Sequence, residues 1–276
     1  MHSSDNYLTT NASKSQKMDY LIRYLLSEKY RSKQVPQNIH IPNNDSEKFE
    51  ILRALTSMRP PNDISQDFIN IQNSLLQQIN QEKGIYDFSS FEPSSKYPNI
   101  FLFKGDITSI KVDAIVNAAN SGMTGCYCPD HKCIDNCIHA FAGVALRLYC
   151  NKIMQKQGHE ERTGDAKITP GFNLPAKYVI HTVGPIVENG YLKEEHKILL
   201  KSCYESCLNC CLKNGIHSIA FCCISTGLFM FPKKEAAIIA VKTALDFISK
   251  CKEYDLKVVF NVFEDEDYNI YKYILF

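Results

Sequence analysis

The chain carries almost no net charge. Against 31 basic side chains stand 30 acidic ones, a formal net charge of +1 over 276 residues. That balance removes the electrostatic case for nucleic acid or an acidic membrane as the main partner. Long apolar runs are missing too, and none approaches the roughly 18 residues needed to span a bilayer. The opening MHSSDNYLTTNASKSQKMDY is polar and lacks the apolar core of a secretion signal. No internal repeat and no low-complexity tract occurs. These absences lead to the expectation of a soluble cytoplasmic protein without nucleic-acid or membrane partners, and of a monomer. Twelve cysteines in that compartment are expected to stay thiols.

What is present divides the chain in three. Residues 1–14 are polar and are expected to be loose. Helical periodicity follows. Leu21, Ile22, Leu25 and Leu26 mark a helix over 16–30; Asp45 and Ser46 suit the cap of a second, with Phe49, Leu52 and Leu55. A third carries the stripe Ile64, Phe68, Ile71, Leu75, Leu76 and Ile79, and Pro60-Pro61 blocks its backward extension. Such stripes must pack on something, so 15–98 is expected to be a helical extension, with 84–98 a connector. From residue 99 the pattern changes. Apolar runs at 100–103, 113–117, 178–183, 219–224 and 258–263 alternate with helical patterns near 136–155, 193–213 and 233–250. That alternation predicts an α/β layer fold with a largely parallel sheet covered on both faces.

Cysteine by itself is a poor signal here. Cys203, Cys207, Cys210 and Cys211 fall on one helix face, and Cys222 and Cys223 in an expected strand. All six read as small buried hydrophobes. The stretch GCYCPDHKCIDNCIH, residues 125–139, differs. Cys126, His131 and Cys133 are spaced C-x4-H-x-C, and two thiolates with one imidazole suit zinc. Three ligands leave a fourth position open, as in catalytic sites; a structural zinc wants a fourth from Cys128, Cys137 or Asp130. Plain thiols and a redox pair are equally compatible with the spacing.

Two further stretches sit where open α/β sheets gather ligands, at strand ends. KGDITSIKVDAIVNAANS places Asp106 just after one strand and Asn117 and Asn120 at the end of the next. Taken alone, Asp106 reads first as a helix or turn cap. CISTGLFMFPKKEAA places a Ser-Thr-Gly turn between a strand and a helix, where backbone N–H groups can cradle phosphate.

In sequence order, GDIT, VDAIVNAAN, IDNCIHAFAG, TGDAKITPGFNLPAKYVIHTVGP and ISTGLFMFP resemble a macrodomain over most of 99–250. The cysteine loop in place of a glycine-rich run, together with ILRALTSMRPPNDIS, resembles the zinc-dependent macrodomains that act as protein-ADP-ribose hydrolases. The resemblance implies a three-layer α/β/α macrodomain over 99–276, with a mixed, mostly parallel central sheet and an N-terminal helical extension. It implies Zn2+ as cofactor, held by Cys126, His131 and Cys133. Asp106, with Ile107 beside it, takes the position of the acid that reads the adenine amino group. Asn120 faces the distal ribose, and Asp135 matches the loop aspartate of active members. Ser225, Thr226, Gly227, Leu228 and Phe229 match the diphosphate turn, and Phe231 a position near the distal ribose. Met230 departs from the pattern, since many macrodomains have glycine there.

The implied activity is removal of mono-ADP-ribose from protein side chains, with Asp/Glu esters the expected linkage. The partners are then an ADP-ribosylated protein and the product ADP-ribose. Asp135 and Asn120 are the expected catalytic residues, with zinc either activating water or positioning the ribose. A non-catalytic ADP-ribose reader would share Asp106 and the diphosphate turn but has no need of Asp135 or the zinc loop. Deacetylation of O-acetyl-ADP-ribose would use the same pocket.

Overall fold

The structure, a computed structural model, describes residues 10–30, 40–129 and 131–276. Most of the stretch expected to be loose, and Asp130 among the alternative zinc ligands, lie outside the described residues.

Three helices come first: α1 (Lys14–Lys29), α2 (Asp45–Met58) and α3 (Gln66–Glu82). Ser13 and Gln16 form a capping box on α1, and Ser65 caps α3. On α2 the cap is Asn44, one residue before the expected pair; its side chain accepts from the N–H groups of Ser46 and Glu47. Met18, Leu21, Leu52, Phe68, Ile71 and Leu75 are buried in the same apolar cluster as the sheet residues. The extension therefore shares one core with the α/β layers.

Seven strands form one sheet: β1 (Glu92–Pro93), β2 (Ile100–Lys104), β3 (Ala114–Ala119), β4 (Ala166–Pro170), β5 (Tyr178–Val183), β6 (Ser218–Phe221) and β7 (Lys257–Val262). Their order is β1-β2-β7-β6-β3-β5-β4. The five inner strands run parallel, and β1 and β4 close the edges antiparallel. The inner strands are almost wholly buried, as a sheet covered on both faces requires. On one side lie α4 (Ile134–Ala142) and α5 (Val144–Gln157), with α2 and α3 packed on α4. On the other, α6 (Glu194–Asn214), α7 (Lys233–Lys250) and α8 (Asp265–Leu275) lie side by side. This is the expected three-layer α/β/α arrangement. No helix among the described residues is long and apolar enough to cross a membrane.

Several expectations need correction. The pattern near 136–155 is two helices, because Gly143 between them takes φ +93°, a region a side chain would strain. Strand β6 ends at Phe221, so Cys222 and Cys223 lie just beyond it. The connector contributes β1, and β4 was not anticipated at all.

A candidate active site at the strand ends

The parallel strands deliver their C-terminal ends to one edge of the sheet. Asp106 follows β2, Asn117 to Asn120 end β3, Ser225 follows β6 and Phe263 follows β7. A buried polar cluster lies behind that edge. Asp135, in the first turn of α4, is 5% exposed. Asn117 Nδ2 donates to its Oδ1 at 2.7 Å, and Asn120 Nδ2 to its Oδ2 at 3.3 Å. Asn120 is exposed, so it stands in front of the acid. Burial pushes the Asp135 carboxyl up to about 6, although the Asn117 amide and the Arg147 charge pull it down.

Asn117 also fixes a tautomer. Its Nδ2 lies 3.1 Å from His181 Nδ1, which must accept because the amide nitrogen only donates. The ring proton is then on Nε2, which donates to Thr169 Oγ1 at 3.0 Å. Burial pushes His181 down to about 3, so the ring is neutral at ordinary pH. His139 is equally enclosed, with Nε2 3.6 Å from Asp135 Oδ1 and its pKa well below the usual value through burial. In the sequence Asn117 is only a strand-end residue without a role, and His181 and His139 carry no local signal, because only the fold brings α4, β3 and β5 together.

The cysteine loop runs between Asn120 and α4. Cys126, His131 and Cys133 are half-buried, and their ligand atoms lie within 4.8 Å of one another. Cys126 Sγ is 3.5 Å from His131 Nδ1. Cys133 caps α4, its sulfur accepting from the Asn136 N–H at 3.4 Å. Burial nevertheless pushes the Cys133 thiol up to about 12; the Asn136 N–H opposes this, while Cys126 and Asp135 reinforce it. A divalent cation would replace that repulsion with attraction, so the donor set fits zinc. Of the alternative ligands, Cys128 is exposed and Cys137 faces Arg53 at 3.8 Å. The loop backbone is pinned from behind. Arg147 donates to the Cys126 carbonyl at 3.3 Å and to the Thr56, Ser57 and Arg59 carbonyls at the end of α2. Asn136 Nδ2 bridges Ser57 Oγ and the Cys128 carbonyl.

On the far side of Asn120, the turn 225–229 folds back on itself: the Phe231 N–H donates to the Ser225 carbonyl and the Val187 N–H to that of Phe229. The N–H groups of Gly227, Leu228 and Phe229 make no hydrogen bond among the described residues. They are donors available to an anion. A Cβ at Gly184 would lie 2.0 Å from Ser225 Oγ, so the turn seats only against a glycine. Ser225 and Met230 both take positive φ, 65° and 55°. Met230 thus adopts a left-handed backbone conformation that favours glycine, with strain. Phe231 and Ile107 are buried, with side chains in the apolar core cluster.

At the other end Asp106 caps a short turn, accepting from Thr108 N and Oγ1. Its Oδ2 meets Lys83 Nζ at 2.7 Å. Phe263 follows Val262, which pairs with Lys104, so its backbone stands beside the Gly105–Asp106 turn, and its side chain is exposed. The sequence placed Phe263 inside the expected strand run 258–263; the strand ends one residue earlier, at Val262, which frees that ring.

The Macro domain family matches residues 116–240. The chain is 50% identical to the protein-ADP-ribose hydrolase of Treponema medium over 258 residues, 93% of this chain and 97% of that one. It is 43% identical to the protein-ADP-ribose hydrolase of Staphylococcus aureus strain MSSA476, covering 91% and 93% respectively. Among solved structures, the Trypanosoma brucei macrodomain in complex with ADP-ribose aligns with TM-score 0.63 and 27% identity, over 81% of this chain and 95% of that chain. The Oceanobacillus iheyensis macrodomain with ADP aligns with TM-score 0.56 and 36% identity, over 63% and 88%.

Proposed function

The chain belongs to the macrodomain family, and we propose that it is a zinc-dependent hydrolase that removes mono-ADP-ribose from protein Asp/Glu side chains. The observation that carries this reading is a convergence at the end of β3: the buried acid Asp135, the exposed Asn120 and the three-ligand loop meet there. A binding module needs only the base and diphosphate ends. Relatives of nearly the same length that carry the name protein-ADP-ribose hydrolase support the hydrolase part of this reading.

The reaction breaks the bond between C1 of the distal ribose and the side-chain oxygen. Water adds at C1, which takes oxocarbenium character on the way. Cys126, His131 and Cys133 would hold the zinc, which would supply Lewis-acid charge at the ribose end. The free N–H groups of 227–229 hold the diphosphate, and Phe263 offers a flat ring to the base. Asn120 orients the ribose. Asp135 takes the proton of the attacking water. Its carboxyl at about 6 is ionised at neutral pH yet more basic than a solvated one. The chain Thr169–His181–Asn117 holds that carboxylate in one orientation. The products are ADP-ribose and the free carboxylate of the target.

Release of ADP-ribose from a protein mono-modified on Asp/Glu tests the reading. The expected result is turnover by the wild type and almost none by Asp135→Asn, with ADP-ribose binding retained by both. Tight binding without release by the wild type would make the protein a reader.

A further inference from the structure

Lys83 closes α3 at its C-terminal end, inside the helical extension. Its ammonium reaches across to the sheet edge. It pairs with Asp106 Oδ2 at 2.7 Å, donates to Thr108 Oγ1 at 2.6 Å, and lies 3.4 Å from the centroid of the Phe141 ring. Carboxylate, hydroxyl and aromatic face thus surround the charge. The backbone behind it is fixed, because α3 is stitched to the core. Gln72 accepts from the Val144 N–H, and Asn80 donates to the Asn173 carbonyl.

Asp106 is left with very little acceptor capacity. Oδ1 is engaged by both the N–H and the hydroxyl of Thr108. Oδ2 is held by Lys83 and keeps one lone pair. The carboxylate remains 38% exposed, so that lone pair can be reached from outside. A single oriented acceptor distinguishes an amino group from a carbonyl at the same position on a base. A freely rotating carboxylate would do so poorly, since it must be ordered at each binding event.

We propose that Lys83 is a positioning residue for base recognition: the extension clamps Asp106 so that one acceptor lone pair faces the 6-amino group of adenine. The nucleotide end of the site is then built jointly by the extension and the α/β core. The proposal rests on the reading of Asp106 as the adenine acid.

Equilibrium binding of ADP-ribose and of its hypoxanthine analogue, inosine diphosphate ribose, tests it. Wild type, Lys83→Met, Lys83→Arg and Asp106→Asn are compared, each checked for a cooperative melt. In wild type the adenine ligand binds more tightly. Lys83→Met is expected to lose about tenfold in ADP-ribose affinity with little change for the analogue, so discrimination shrinks. Lys83→Arg restores part of it. A purely structural lysine would weaken both ligands equally, and that result overturns the proposal. So does tighter ADP-ribose binding by Lys83→Met, which would make the lysine a plug on the acid. If Asp106→Asn discriminates like wild type, the adenine reading of Asp106 fails and the proposal goes with it. If Asp106→Asn loses discrimination and Lys83→Met keeps it, the proposal fails alone.

Discussion

Two groups of histidine and cysteine lie on either side of the first turn of α4, and they use their lone pairs differently. In the loop are Cys126, His131 and Cys133, half-buried; in the core are His139, Cys150 and His181, fully buried. In both groups the donor atoms lie within 4.8 Å of one another. His181 is already committed on both nitrogens, accepting from Asn117 and donating to Thr169. It has no lone pair for a cation. The loop has two sulfurs facing one imidazole, and burial disfavours the thiolate at Cys133 in the absence of a neighbouring cation. Residue type and proximity are therefore insufficient to define a metal site. His139 has no hydrogen-bond partner on either nitrogen, so what separates the two groups is the commitment of His181, and Asp135 stands between them.

The largest effect is expected at Asp135 itself. Asp135→Asn should lower turnover by about 100- to 10,000-fold. Activity in the wild type should fall as pH drops below about 6, where the carboxylate is protonated. Stability runs the other way. The folded carboxyl is raised above its unfolded value of ~3.9, so it contributes stability that is lost as pH rises from ~4 through about 6. Asp135→Asn should remove that dependence and melt no lower than wild type at pH 7.5. Thermal melts across pH check both statements.

The loop comes next. Cys133→Ala should cost at least about 100-fold in hydrolysis and lose zinc with it. Cys150→Ala should keep both, at a stability cost of about 1 kcal/mol for the small void. A smaller effect is expected at His181. His181→Gln should lower turnover by about 10- to 100-fold with zinc content unchanged, since it only steadies Asn117 and Asp135. The folded His181 pKa of about 3 lies below the unfolded ~6.5, so its stability contribution is intact above ~6.5 and is lost as pH falls toward about 3. The variant should flatten that acid limb. Smallest of all, Met230→Gly should change stability by less than about 1 kcal/mol, because relieved backbone strain at φ 55° offsets added chain entropy. Denaturant melts measure it.

The same contrast explains what the sequence could convey. Local patterns were readable: the stripe from Phe68 to Ile79, with Pro60-Pro61 ahead of it, gave α3, and Tyr178–Val183 is the strand its apolar run suggested. The C-x4-H-x-C loop was readable because its three residues are close in the chain. Strand β4 was not, since AKITP is short, half-exposed and ends in proline at a sheet edge. The break at Gly143 looked like one continuous helical period. His181, Asn117 and Lys83 depend on partners 64 or fewer residues away that only the sheet and the packed extension bring near. No local pattern encodes that.

The most direct test is zinc stoichiometry by elemental analysis, with ADP-ribose release on the same samples, for wild type, Cys133→Ala and Cys150→Ala. The expected result is one zinc and full turnover in wild type and Cys150→Ala, and neither in Cys133→Ala. Zinc and turnover lost from Cys150→Ala but kept by Cys133→Ala would contradict the assignment of the metal to the loop and of His181 to holding Asp135 through Asn117.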